Sequence, residues 1–237
     1  MIGTAPGTGA LTTMRLLLFD IDGTLVRCGR QVREVFAESL LEVYGTTGEI
    51  DAYDFGGKTD PRIVRDLMRA AGLAPAEVDA GLPRMREAYL PRLAARLRAV
   101  EVLPGVHETL AAVRGRPDFA VGLLTGNWEG GARIKLDCAG LDGFAFGAYG
   151  DDGEDRACLP PVALERARLA TGRAFAPDQA VIIGDSVEDV RCARACGVPV
   201  VAVASGWTPA ERLREAGADR VVARMEEALE WLLAAPA

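Results

Sequence analysis

Asp20 and Asp22 stand two residues apart at the end of an apolar run, in the stretch RLLLFDIDGTL from Arg15 to Leu25. On an extended chain, residues i and i+2 project to the same side, so the two carboxylates face one small volume. Like charges that close repel unless a cation lies between them or one carries a proton. Farther along, Thr125-Gly126-Asn127 and the pair Asp185 and Asp189 also follow apolar runs. A small hydroxyl with free backbone amides suits phosphate oxygens. Several carboxylates at one point suit a hard cation, and Mg²⁺ takes one or two of them together with water and substrate phosphate. The chemistry these residue types jointly fit is phosphoryl transfer to a carboxylate, with a metal neutralising oxygen charge. The competing reading of DIDGT alone is a polar turn after a strand, because Asp and Gly are ordinary turn residues.

Such a convergence needs elements that deliver each group to one edge. Leu16, Leu17, Leu18 and Phe19 form a run with no polar face, the signature of a strand buried on both sides in a parallel sheet. From about Gln31 to Ala99 the pattern is helical. Val32, Val35, Phe36, Leu40 and Val43 recur at helical spacing, and Asp60-Pro61 reads as the N-cap and first residue of a second helix. Pro83 and Pro91 are expected to interrupt a third. From Pro104 onward, strands alternate with helices, ending at Thr125-Gly126-Asn127, at Gly184-Asp185 and at Ala204-Ser205-Gly206. Alternation of this kind predicts an α/β fold, a doubly wound parallel sheet covered on both faces. Ligands of such sheets bind beyond the carboxyl ends of the strands, so residues distant in sequence can meet there. The expected organisation is a flexible tail over residues 1–13, a Rossmann-like core from 14–26 and 101–237, and an inserted helical domain over 27–100.

Composition narrows the partners. A formal net charge of −7 argues against nucleic acid, and no run approaches a membrane span. The first residues lack the basic start and apolar core of a secretory signal. Five scattered cysteines without a CxxC pair read as reduced thiols of a cytoplasmic protein. His107, the single histidine, reads as an exposed first-turn residue, which leaves little room for a histidine-based metal site or triad. Lys135, in the segment ARIKL, is expected on a solvated helix face.

The motifs D20-x-D22-G-T-L, T125-G-N and G184-D185-S-x-E-D189, in this order and each after a buried strand, resemble motifs one, two and four of the haloacid dehalogenase-like hydrolase superfamily. The resemblance runs from Met14 to the C-terminus, and the helical insert after motif one is similar to the C1 cap of the phosphoglycolate phosphatase-like branch. It implies a Mg²⁺-dependent phosphatase acting on a small phosphorylated metabolite, as a monomer or homodimer. Asp20 would be the nucleophile that becomes an aspartyl phosphate. Asp22 would protonate the leaving oxygen and then deprotonate the hydrolytic water. Thr125, with amides near Gly126 and Asn127, would hold the phosphoryl group. Asp20, the backbone carbonyl of Asp22, and Asp185 would hold Mg²⁺, with Asp189 a further ligand or acting through water or a neighbouring group.

The sequence departs from the family at motif three, where a lysine is usual. Arg156 is the nearest cation at plausible spacing, and either neutralises Asp20 and binds a phosphate oxygen or pairs within its own loop with Asp152 or Asp155, in which case Lys58 and Lys135 are the next places to look for the charge. Lys58, in GGKTDP of the insert, either contacts the leaving group or is simply exposed. A sugar phosphomutase, a phosphonate hydrolase using Lys58, and a non-catalytic phosphate-binding regulatory protein are the alternative functions. A haloalkanoate dehalogenase would need neither the metal nor the second acid, so Asp22 together with Asp185 argues against it.

Overall fold

The computed structural model describes residues 14–234. The expected N-terminal tail at 1–13 lies outside the described residues. The elements in chain order are β1 (Arg15–Phe19), β2 (Val26–Cys28), α1 (Gln31–Tyr44), α2 (Asp60–Ala70), α3 (Pro75–Arg96), β3 (Val100–Val102), α4 (Val106–Arg114) and β4 (Phe119–Leu124). They continue with α5 (Glu129–Ala139), β5 (Gly147–Ala148), α6 (Leu159–Thr171), β6 (Ala180–Gly184), α7 (Val187–Cys196), β7 (Val200–Val203), α8 (Ala210–Glu215), β8 (Arg220–Val222) and α9 (Met225–Ala234).

Six strands pair in parallel in the order β5-β4-β1-β6-β7-β8. The first strand lies in the middle because it has side chains to bury on both faces. Leu17 and Phe19 enter one apolar cluster and Leu16 and Leu18 the other, as period-2 alternation requires. Strand order reverses around β1, and in a doubly wound sheet that is where the crevice for ligands opens. The doubly wound α/β architecture with a helical insert is the one the sequence predicts.

Several local expectations are corrected. The links into and out of the insert are not plain loops. Val26–Cys28 pairs antiparallel with Val100–Val102, and Arg27 meets Glu101 across the ribbon at 3.1 Å. Pro83 and Pro91 do not interrupt the third helix, which runs unbroken through both. Both prolines sit on the exposed side, so the carbonyls they deprive of a donor are turned toward water. Thr59, not Asp60, caps the second helix, its hydroxyl accepting from the Arg62 amide at 3.3 Å. A short helix at Ala210–Glu215 carries no pattern that had marked it.

The insert has its own apolar cluster, built from Phe36, Leu40, Val64, Met68, Met85, Tyr89 and Leu93 of its three helices. One member comes from elsewhere. Trp128, next to the start of α5, is buried in that cluster, stacked on Phe36 at 6.2 Å and tilted against Tyr89 at 5.9 Å. The indole thereby plugs the insert into the sheet that carries it. Trp128→Ala should cost about 3 to 5 kcal/mol, the usual loss for a buried large aromatic. Urea denaturation, with limited proteolysis to show whether the insert loosens first, measures this. A loss under about 1 kcal/mol would contradict the plug.

Candidate active site

The carboxyl ends of β1, β4 and β6 lie side by side, and the candidate residues follow directly from them. Asp20 leaves β1 with its amide bonded to Ile183 O at 2.9 Å. Thr125 leaves β4 with its amide bonded to Ala148 O at 3.0 Å. Asp185 leaves β6, and Asp189 lies on the first turn of α7. Asp20, Asp185 and Asp189 each offer a carboxylate oxygen, and these oxygens all lie within 4.8 Å of one another. Gly206 gives Asp185 its place, since a Cβ there would fall 1.7 Å from the Asp185 carboxylate. Gly23 closes the other side with φ +85°, a left-handed conformation that glycine adopts without strain.

Arg156 sits in the middle of this cluster and is buried. Its Nη2 lies 3.0 Å from Asp20 Oδ1 and 2.5 Å from Asp189 Oδ1, and it also donates to Leu124 O at 3.2 Å. Its Nη1 donates to Gly57 O of the insert at 3.0 Å. It does not pair with its loop neighbours. Asp152 is taken by Arg166 at 2.7 Å, and Asp155 caps the turn that begins at Arg156.

Asp189 is fully engaged. Its Oδ2 accepts from the Ser186 amide at 3.0 Å and hydroxyl at 2.5 Å, while the Ser186 hydroxyl accepts from the Asp189 amide at 3.1 Å. This is a capping box, and its remaining oxygen holds Arg156. A capping acid that also orients the arginine explains its burial without direct metal contact.

Lys135 corrects the sequence reading. It is buried, not solvated, and its Nζ lies 2.6 Å from both Asp22 Oδ2 and Asn127 Oδ1. Asn127 Nδ2 donates to Asp22 Oδ2 and to Thr125 Oγ1, each at 2.8 Å. The signal was present, because Lys135 falls on the buried arc of α5 with Gly131, Ala132 and Leu136. Its charge suggested solvent, and only a partner far away in sequence makes burial tolerable. Asp60 was also missed. Its carboxylate accepts from the Trp128 amide at 2.8 Å and its own amide donates to Gly126 O at 2.8 Å, which presses the insert onto the β4 loop. Lys58 donates to Asp54 O and lies over the Tyr53 ring at 4.6 Å, on the rim of the cavity.

These residues, Asp189 apart, line a cavity of about 710 Å³ between the insert and the sheet edge. Its electrostatics favour a cation. Burial pushes the Asp20 carboxyl up to about 6 against the pull of Arg156, with Asp189 and Asp22 adding to the rise. Burial and the charges of Asp20 and Asp189 push Asp185 well above the usual range. Burial would also raise Asp22, but the Lys135 ammonium, with hydrogen bonds from Lys135, Asn127 and Cys28, holds it below that range. Asp20 Oδ1 is buried and, although close to Arg156, accepts no hydrogen bond. An orphaned carboxylate oxygen beside a second crowded carboxylate is a donor set that fits Mg²⁺.

The sequence profile of the haloacid dehalogenase-like hydrolase family matches residues 14–197. A plasmid-encoded phosphoglycolate phosphatase of Cupriavidus necator is 29% identical over 216 residues, covering 89% of each chain. A phosphoglycolate phosphatase of Rhodospirillum rubrum is 29% identical over 201 residues, covering 82% of this chain and 81% of that one. Among solved structures, a hydrolase from Pseudomonas syringae superposes with a TM-score of 0.70 at 22% identity, covering 95% of this chain and all of the other.

The raised carboxyls give a prediction for the metal-free protein. Between pH 4 and about 7 the folded state keeps protons on Asp20 and Asp185 that the unfolded chain has released, so stability falls as pH rises. Asp60, pushed up to about 7 by burial, acts in the same direction. Urea titrations in chelator should lose about 3 kcal/mol across this window from Asp20 alone. Saturating Mg²⁺ should reduce the slope. A profile that is flat or rising in chelator would contradict the crowding of these carboxyls.

Proposed function

We propose that this chain, which belongs to the haloacid dehalogenase-like hydrolase family, hydrolyses small phosphomonoesters through a phosphoryl group carried on Asp20. The observation that carries this reading is the convergence of Asp20, Asp185 and Arg156, beside Thr125, at three adjacent strand ends. Asp20 attacks phosphorus in line, and the bond between phosphorus and the leaving oxygen breaks. Asp22, held ionised by Lys135 in the resting site, takes up the proton of the ester's monoanion and passes it to that oxygen, so that a neutral alcohol departs. Asp22 then takes a proton from the water that attacks the aspartyl phosphate, which releases inorganic phosphate and restores Asp20.

Thr125 and the amides around Gly126 and Asn127 bind phosphoryl oxygens. Arg156 neutralises Asp20 and can reach one of those oxygens, in the place where the family usually has a lysine. Asp20, Asp185 and the Asp22 backbone carbonyl would hold Mg²⁺. When bound, the ion supplies charge neutralisation that lets an anionic nucleophile approach an anionic ester. Asp189 acts by holding Arg156, and not as a ligand of its own.

The insert, residues 27–100, is a cap that shields the reacting group from water. Thr59 donates to Glu154 O at 2.7 Å and Asp60 clamps the β4 loop, contacts that suit a closed cap. Lys58 on its rim contacts the leaving group. Because Lys58 is already bonded to Asp54 O and stacked on Tyr53, it supports the phosphatase reading over a phosphonate hydrolase that would need a free amine. The names of the relatives make phosphoglycolate the first ester to try. Five free cysteines suit a reducing cytoplasm.

A panel of phosphomonoesters assayed with Mg²⁺ and scored by kcat/KM tests the reading. Asp20→Asn should abolish turnover while the melting curve stays cooperative, because an amide fills the same volume but cannot attack. Arg156→Ala should lose about two to three decades of turnover, the range seen when one electrostatic stabiliser of a transition state is removed. Undiminished turnover in excess chelator, or near-normal activity of Asp20→Asn, would remove the mechanism.

A further inference from the structure

Beyond the nucleophile and its arginine, the cavity holds a second buried cation whose partners are specific. Lys135 reaches across from α5 to the loop after β1, where its Nζ meets Asp22 Oδ2 at 2.6 Å. Asn127 Nδ2 meets the same oxygen at 2.8 Å, and Asn127 is itself held by Lys135 through Oδ1 at 2.6 Å. Both donors fall on Oδ2, so rotating the Asp22 carboxyl would break two charge-assisted bonds at once. Oδ1 takes no part in the Lys135 and Asn127 bonds, and the Cys28 thiol lies beside the same carboxyl. Arg156 already serves Asp20, so Lys135 is not a displaced version of that cation. It serves the other carboxylate. A buried ammonium is costly unless paired, and the two hydrogen bonds that pair this one go to the acid/base residue and to the loop that would bind phosphate.

We infer that Lys135 is the positioning residue of the acid/base step, fixing the Asp22 carboxyl through Oδ2 so that Oδ1 carries the proton to and from the reacting oxygens. The inference rests on the phosphatase reading above. As the leaving oxygen parts from phosphorus it takes the proton from Oδ1, and the electron pair of the O–H bond stays on the carboxylate. The charge that appears there is met by an ammonium and an amide already in place, with no reorganisation needed. In the second half the same carboxylate takes a proton from water, and the plane of the carboxyl is unchanged because its donors have not moved. Lys135 touches neither ester nor water and works only through Asp22.

A merely structural lysine and a positioning one differ in how they respond to the leaving group. An alkoxide must be protonated as it leaves, whereas a nitrophenolate leaves without help. Lys135→Met and Asp22→Asn should therefore be compared on the best alkyl phosphate of the panel and on 4-nitrophenyl phosphate. The expected result for Lys135→Met is a loss of about one to two decades in kcat/KM on the alkyl ester and about threefold or less on the aryl ester, within the range of general-acid effects. Asp22→Asn should show the same split, and the double variant little further loss, since both remove one unit. Lys135→Gln, which keeps a donor, should recover part of the alkyl rate.

Equal losses on both esters, or additive losses in the double variant, would overturn the inference. The chain has two lysines, Lys58 and Lys135, so isotope-labelled lysine gives two side-chain NMR signals in the metal-free protein. Asp22→Asn should move the Lys135 signal and leave that of Lys58, and absence of any movement would also overturn it. This readout survives if Lys135→Met fails to fold. A wild type that turns over neither ester sinks the phosphatase reading, and the acid/base role of Lys135 with it. Turnover by the wild type with an unsplit loss in the variant sinks the role of Lys135 alone.

Discussion

Among the described residues, four carboxylates share one edge of the sheet, and two cations are buried among them. Asp20, Asp22, Asp185 and Asp189 face Arg156 and Lys135, which leaves two formal negative charges in a largely dry place. Most of the local structure serves to make that tolerable. Asp189 spends one oxygen on a helix cap and the other on Arg156, Asp22 is divided between Lys135 and Asn127, and Thr24 donates to Asp185 at 3.2 Å. What remains uncompensated lies on Asp20 and Asp185, and a divalent cation is the size of charge that would complete the set. A divalent cation there would relieve the repulsion that burial imposes on the two carboxyls.

The same edge explains how the insert is held. Its three helices make a core of their own, yet the contacts that seat it fall on residues of the site. Gly57 O accepts from Arg156, Asp60 accepts from Trp128, and Gly126 admits the Lys58 carbonyl so closely that a Cβ there would lie 2.1 Å away. The contacts that seat the insert and those that order the charge network therefore share residues. Where the insert excludes water, the electrostatic contacts beneath it are stronger because the local dielectric is low.

The architecture was legible because it follows from short-range rules. Leu16 to Phe19 could not be anything but a two-faced strand, and the alternation after Pro104 fixes a parallel sheet. The convergence of Asp20, Thr125 and Asp185 was legible as well, since strand ends in such a sheet must meet. The misreadings have a common cause. Lys135, Asp60 and the β2–β3 ribbon are each decided by a partner some 70 to more than 100 residues away, and local pattern carries no information about that partner. The prolines of α3 were misread for a related reason. Proline disfavours a helix interior by roughly 3 kcal/mol, but packing of Val78, Met85, Tyr89 and Leu93 against the insert outweighs it where the lost donors face water.

The use of an arginine where the family usually has a lysine has a geometric reason in this chain. An ammonium is a compact point charge, whereas a guanidinium presents a planar fork. Arg156 uses that fork to touch Asp20, the capping acid of α7, the last carbonyl of β4 and a carbonyl of the insert loop at once. A lysine with three donors on one nitrogen could not span these positions without leaving one of them bare. The substitution thus ties the charge beside Asp20 to the position of the insert. Asp22 is left to a different cation, which reaches it from α5. Asp20 and Asp22 are each given a cation of their own, set on separate elements, the turn before α6 and helix α5. That separation would suit the proposed two-stage reaction, in which Asp20 must change partners and Asp22 must not.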